Sequence, residues 1–129
     1  MAHQPSLLIV DDETNVALTL QMVFEREGYA VRTANSCASA LKLLENGQVF
    51  DAVITDLNME KENIGLEVAR AALQLHPKPA VVVCTGYASV DNSAAALQMK
   101  VDYLATKPVD LDELKRAVSR LMAFRNEKQ

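Results

Sequence analysis

Residues 53–60 read "VITDLNME", three β-branched residues running straight into a carboxylate, Asp56. Such a run favours a buried strand, and an acid at its end emerges at the rim of a sheet. The run belongs to "DAVIT" at 51–55, the third of five short apolar segments. The others are "SLLIV" at 6–10, "YAVRTA" at 29–34, "AVVVC" at 80–84 and "VDYLAT" at 101–106. Between them the apolar period becomes helical: Val16, Leu20, Val23 and Phe24 share one face, as do Leu66, Ala69 and Leu73, and later Leu111, Leu114, Val118 and Leu121. The Ala-rich "SVDNSAAALQMK" at 89–100 predicts a further, weakly amphipathic helix.

Local punctuation agrees with this alternation. Gly28 and Gly47 fall where helices should stop, Pro77 and Pro79 flank the fourth strand, and "DLDE" at 110–113 opens the last helix with an Asp-x-x-Glu cap. Strand then helix, five times over, with central strands apolar on both faces, predicts an α/β fold: a doubly wound parallel sheet covered on each side. No linker or repeat divides the 129 residues, so a single domain is expected over 1–129, with its core at about 6–124.

Composition narrows the functions. Half the residues are apolar, the net charge is −4, and the 13 Lys and Arg are scattered, which argues against a surface that tracks nucleic-acid phosphates. The opening "MAHQPSLLIVDDE" reaches acids after four apolar residues, so neither a signal peptide nor a membrane span is expected, and a cytoplasmic location is. Cys37 and Cys84 lie outside any metal-binding spacing and read as small packing residues. His3 and His76, in the chain start and a helix-to-strand loop, are not expected to act as ligands or bases.

Ligands of doubly wound sheets bind beyond the carboxyl ends of the strands, at the point where strand order reverses. At those ends stand Asp11 and Asp12, Asp56, Thr85, and Lys107 followed by Pro108. Crowded carboxylates raise one another's pKa, a strain that a hard divalent cation relieves. Mg²⁺ suits the set because it takes a few carboxylates and keeps room for waters and phosphate oxygens. Beside a metal and an ammonium, Asp56 is placed to attack phosphorus as a nucleophile, with Lys107 and Thr85 neutralising the other oxygens.

These residues, in this order, resemble the receiver domain of two-component response regulators, over about 6–124. The resemblance rests on "IVDDE", "VITDLNM", "VVVCTGYAS" and "YLATKPVD" together. It implies a flavodoxin-like five-stranded parallel sheet, (βα)5, in the order 2-1-3-4-5. It also implies that Asp56 accepts a phosphoryl group from a phosphohistidine on a sensor histidine kinase or phosphotransfer protein. Asp12, Asp56 and the backbone carbonyl of Asn58 would hold Mg²⁺ directly, and Asp11 mostly through water. Thr85 and Lys107 would sense the phosphoryl group and repack the face of the fourth helix, fifth strand and last helix, which a downstream protein or effector domain reads. The chain would then be a switch that catalyses only its own phosphorylation and dephosphorylation. No direct nucleic-acid or membrane contact and no organic cofactor is expected.

Several residues depart from the family pattern. Glu60 stands where Pro is usual, and the loop reaching Gly65 is one residue longer. The aromatic that usually lies three residues before the Lys is displaced to Tyr103, with Leu104 in its place. A bulge at Ala105-Thr106 is expected to restore Tyr103 to the switch position, because a one-residue slip reverses the face of a strand side chain. Tyr87, two after Thr85, is expected to hinder hydrolytic water, and Lys107-Pro108 can be cis as in the family.

Blander readings weigh against each residue taken alone. "DDET" can simply cap a helix, Thr85 be a β-branched strand residue and Lys107 a solvated charge; only their convergence is specific. Asp51 is the rival acceptor, but at the start of its strand it reads as a solvated acid on the opposite edge. Among other functions, a haloacid-dehalogenase-type phosphatase needs an acid where Asn58 stands, and a flavodoxin-like carrier would find its flavin phosphate repelled by "DDETN". A degenerate receiver, acting without phosphate as an interaction module, is the remaining alternative.

Overall fold

The computed structural model describes residues 4–59, 64–86, 94, 96 and 98–128. Five strands, β1 (Ser6–Val10), β2 (Ala30–Ala34), β3 (Ala52–Asp56), β4 (Ala80–Thr85) and β5 (Tyr103–Thr106), pair in parallel in the order β2-β1-β3-β4-β5. Each lies within about two residues of the apolar run that predicted it. The strand order reverses between β1 and β3, so the carboxyl ends of those two strands border the crevice where the acids were expected.

The helices α1 (Thr14–Arg26), α2 (Cys37–Glu45), α3 (Gly65–Leu73) and the C-terminal helix α4 (Leu111–Lys128) cover both faces. Side-chain alternation along the strands splits the core in two. Leu8, Val10, Val53, Val81 and Val83 point at α2 and α3, whereas Leu7, Ile9, Ile54, Val82 and Cys84 point at Leu20 and Phe24 of α1 and at Leu114 and Val118 of α4. Of the helix expected over 89–100, Ala94, Ala96 and Gln98 are helical and Ala96 is buried; its first residues lie outside the described ones.

Caps fix where the helices begin. Ser36 accepts from the Ser39 N–H at 3.1 Å, and Asp110 accepts from the Glu113 N–H at 3.0 Å, the expected Asp-x-x-Glu start. Gly28 and Gly47 turn the chain out of α1 and α2 with φ of 97° and 78°, a region costly for any residue with a Cβ.

Two expectations need correction. β5 pairs with β4 without interruption, Tyr103 opposite Val82 through Thr106 opposite Thr85, so the bulge expected at Ala105-Thr106 is absent. Tyr103 therefore stays on the α1 and α4 side with Cys84 and Ala105, while Leu104 packs on the α2 and α3 side, the face of Val83 and, by alternation, Thr85. Asp51, read as solvated, is largely buried instead. Its carboxylate accepts from the Ser6 N–H at 2.8 Å and lies 3.5 Å from Arg125 Nη2 of α4, while Arg125 Nη1 also donates to the Lys78 carbonyl.

Candidate functional site

Asp11 and Asp56 reach one place because they share strand parity. Asp11 continues the alternation of Leu7 and Ile9, and Asp56 that of Ala52 and Ile54, so both carboxylates emerge on the side of α1 and α4. Lys107 follows Tyr103 and Ala105 in the same parity, two strands away. Its Nζ lies 3.0 Å from Asp56 Oδ2 and 3.6 Å from Asp11 Oδ2. One carboxylate oxygen from each of Asp11, Asp12 and Asp56 lies within 4.8 Å of the others. Asp11 and Asp56 are buried, at 3% and 6% exposure, and Asp12 is open to solvent.

Asp11 does the helix-start job and the site job at once. Its Oδ1 accepts from the Glu13 N–H at 2.9 Å, at the first turn of α1, and its Oδ2 faces Lys107. Thr85 is buried at the end of β4, one residue beyond Cys84, the strand partner of Asp56. Its carbonyl accepts from the Lys107 N–H at 2.7 Å, which joins the two strand ends. The Lys107-Pro108 peptide is cis, as in the family. Asn58 meets Asp56 through its backbone N–H, which donates to the acceptor carboxylate. Tyr87 and Glu60 lie outside the described residues.

Burial governs the electrostatics. It pushes the Asp56 carboxyl up, and the Asp11 charge adds to this; together they outweigh the Lys107 hydrogen bond and charge and the Asn58 N–H, all of which pull it down. Burial also pulls the Lys107 ammonium down, but the hydrogen bond it donates to Asp56 and the charges of Asp56, Asp11 and Glu13 outweigh it and leave Lys107 above the ordinary lysine value. Among the described residues the carboxylates are thus short of positive charge, with a single ammonium between them. A divalent cation meets that need, and three carboxylate oxygens this close, one of them open to water, fit Mg²⁺ with its retained waters. Beside the acids a cavity of about 430 Å³ runs between α1 and the start of α4, floored by Ile9, Ile54 and Cys84.

A parallel sheet in this order, bearing three acids and a lysine at its carboxyl rim, defines the class of aspartate phosphoacceptor switches. The family model for the response regulator receiver domain matches residues 7–119, and the chain belongs to that family. It is 36% identical to the transcriptional regulatory protein GlrR of Escherichia coli over 119 residues, 92% of this chain and 26% of that protein. It is 37% identical to the alginate biosynthesis transcriptional regulatory protein AlgB of Pseudomonas putida over 124 residues, 95% of this chain and 27% of that one. The chain thus spans about a quarter of the length of the curated relatives it matches. Among solved structures, a receiver domain from Methanospirillum hungatei superposes with a TM-score of 0.91 at 27% identity, covering 98% of this chain and all of that one. One from Clostridium thermocellum gives 0.86 at 28%, covering 97% and 99%.

The acidic cluster is of the kind at which receivers bind Mg²⁺ for aspartate phosphorylation, a chemistry limited to their own phosphorylation and dephosphorylation. Sensor kinases and phosphotransfer proteins are the family's signalling partners. Among the described residues no helix is long and apolar enough to cross a membrane. Two residues beside the acids escaped the sequence reading as parts of the site. Thr55 donates its hydroxyl to the Asp56 carbonyl at 3.0 Å, and Gly65 donates its N–H to the Leu57 carbonyl at 2.8 Å. The available signals were their positions, immediately before Asp56 and at the start of the following helix, and the family pattern's glycine at the end of that loop.

Proposed function

We propose that residues 6–124 form one receiver unit in which Asp56 is the phosphoacceptor. The observation that carries this is the clustering of Asp11, Asp12 and Asp56 oxygens within 4.8 Å, with Lys107 Nζ 3.0 Å from Asp56 Oδ2. A carboxylate oxygen of Asp56 forms the new O–P bond as the P–N bond to the donor imidazole breaks. Asp12, Asp56 and the Asn58 carbonyl are the groups that would hold Mg²⁺, with Asp11 acting mostly through water. Bound there, the metal screens the negative charge that phosphoryl transfer accumulates.

Lys107 has two jobs in sequence. Before transfer it keeps the buried Asp56 carboxylate ionised; afterwards its ammonium leaves Oδ2 for a phosphoryl oxygen. The Thr85 hydroxyl takes another and comes from the opposite face of the sheet, so its movement is felt on the side of Leu104. In this chain Leu104, opposite Val83, rather than Tyr103, shares with Thr85 the face that strand alternation assigns to both. The output surface is the one formed by the helix expected over 89–100, β5 and α4. Tyr87 hinders the hydrolytic water. The phosphodonor is a sensor histidine kinase or phosphotransfer protein. The reader is a downstream protein or effector domain, in line with the transcriptional regulators of which this chain matches about a quarter.

Intact-mass measurement after incubation with acetyl phosphate tests the reading. A single phosphoryl adduct is expected with Mg²⁺, none with chelator and none in Asp56→Asn. An adduct that persists in Asp56→Asn overturns it.

A further inference from the structure

Three hydrogen bonds hold the backbone of Asp56 and Leu57 where β3 ends. The Leu57 N–H donates to the Cys84 carbonyl at 2.8 Å, the Leu57 carbonyl accepts from the Gly65 N–H at 2.8 Å, and the Asp56 carbonyl accepts from the Thr55 hydroxyl at 3.0 Å. Beneath them, the first residue of α3 has no side chain. A Cβ on Gly65 would overlap the Asp56 carbonyl oxygen and sit 2.8 Å from both the Asp56 carbonyl carbon and Leu57 Cα. Gly65 is not at a positive φ, unlike Gly28 and Gly47, so close approach and not backbone conformation explains the glycine.

We infer that Gly65 and Thr55 are positioning residues for Asp56: they seat the start of α3 directly on the acceptor's peptide and thereby fix where its carboxylate stands. This rests on Asp56 being the phosphoacceptor. Any side chain at position 65 must lift the Asp56 peptide, or push α3 off it, by about an ångström. Misplacement of that order costs up to about 100-fold in rate when in-line geometry is needed. The three atoms nearest that Cβ all belong to Asp56 and Leu57, at the very end of β3.

The test compares Gly65→Ala with Gly47→Ala. The second variant strains a backbone at φ 78° but meets nothing within 4 Å, so it loses stability without touching the site. Two readouts are taken: the phosphorylation rate with acetyl phosphate at saturating Mg²⁺, and hydrogen exchange of the Leu57 amide in metal-free protein. Gly65→Ala is expected to phosphorylate at least about tenfold more slowly and to exchange the Leu57 amide at least about tenfold faster, with β1 amides unchanged. Gly47→Ala is expected to match the wild type in both at a temperature where all are folded. A Gly65→Ala rate within about twofold of the wild type overturns the inference, as does equal slowing in Gly47→Ala. Should Gly65→Ala not fold, Thr55→Val decides, since it removes only the hydroxyl on the Asp56 carbonyl; wild-type rate and exchange in that variant overturn it. Failure of the wild type to form an adduct refutes the phosphoacceptor reading instead, and the exchange comparison still decides whether Gly65 holds the peptide.

Discussion

Lys100 is the one non-glycine residue with positive φ among those described, at 64°, between the helical residues Ala94, Ala96 and Gln98 and β5. A Cβ in that region crowds the following carbonyl, so Lys100→Gly should raise stability by roughly 0.5–1 kcal/mol after the entropy that glycine adds to the unfolded chain. Urea unfolding would show it, and an unchanged or lower midpoint would contradict it. Lys107 is a harder case, because its ammonium serves two buried carboxylates at once. Lys107→Met keeps the stem and removes the charge, and should cost about 1–3 kcal/mol at pH 7 in metal-free protein. The cost should shrink as pH falls and Asp56 takes up a proton; a cost independent of pH would mean that the ion pair is not its source. Asp11, Asp56, Thr85 and Lys107 were legible singly as residues at strand ends. Gly65 was not, because its reason is a neighbour eight or nine positions back that only folding brings against it.

The elements were legible because their periods differ so sharply. Runs such as "AVVVC" have no polar face, as a strand covered by helices on both sides must. Register was less legible. The family pattern asks for an aromatic where Leu104 stands, and a bulge would have supplied Tyr103, but an uninterrupted parallel ladder with β4 leaves each side chain on its own face. Asp51 was misread for a related reason: nothing local shows that the end of α4 returns over the start of β3. Its carboxylate joins the backbone of β1 to Arg125 in α4. Asp51→Ala should therefore cost about 1–3 kcal/mol by leaving the Ser6 N–H and Arg125 without that partner. Arg125→Ala should cost less, and the double variant less than their sum. Additive losses in thermal or urea unfolding would show that the two residues do not act together.

Burial in the interior and the charges of the site together shift the titration of Cys84, Lys107 and Asp56. Burial pushes the Cys84 thiol up to about 12, against the reference near 8.5 for an unfolded chain. Rising pH therefore deprotonates the unfolded state first, the native state binds more protons in that window, and stability falls between about pH 9 and 12. Lys107, also raised, acts in the same direction: its contribution is complete below the unfolded lysine value and is lost as pH climbs through the folded one. Asp56, a raised acid, costs stability as pH climbs from the usual carboxylate range towards its higher folded value. Cys84→Ala should flatten the decline of urea midpoints between pH 9 and 11, and an unchanged slope would mean that the thiol titrates normally. From its own pattern the sequence determined the alternation of strands and helices, and hence which acids, threonine and lysine must meet at one rim, because buried strands and amphipathic helices impose periods that can be read without coordinates. The β5 register, the burial of Asp51 and the contact of Gly65 with the Asp56 carbonyl came from folding alone. Each of these depends on how close residues on different elements come, and no local period encodes that distance.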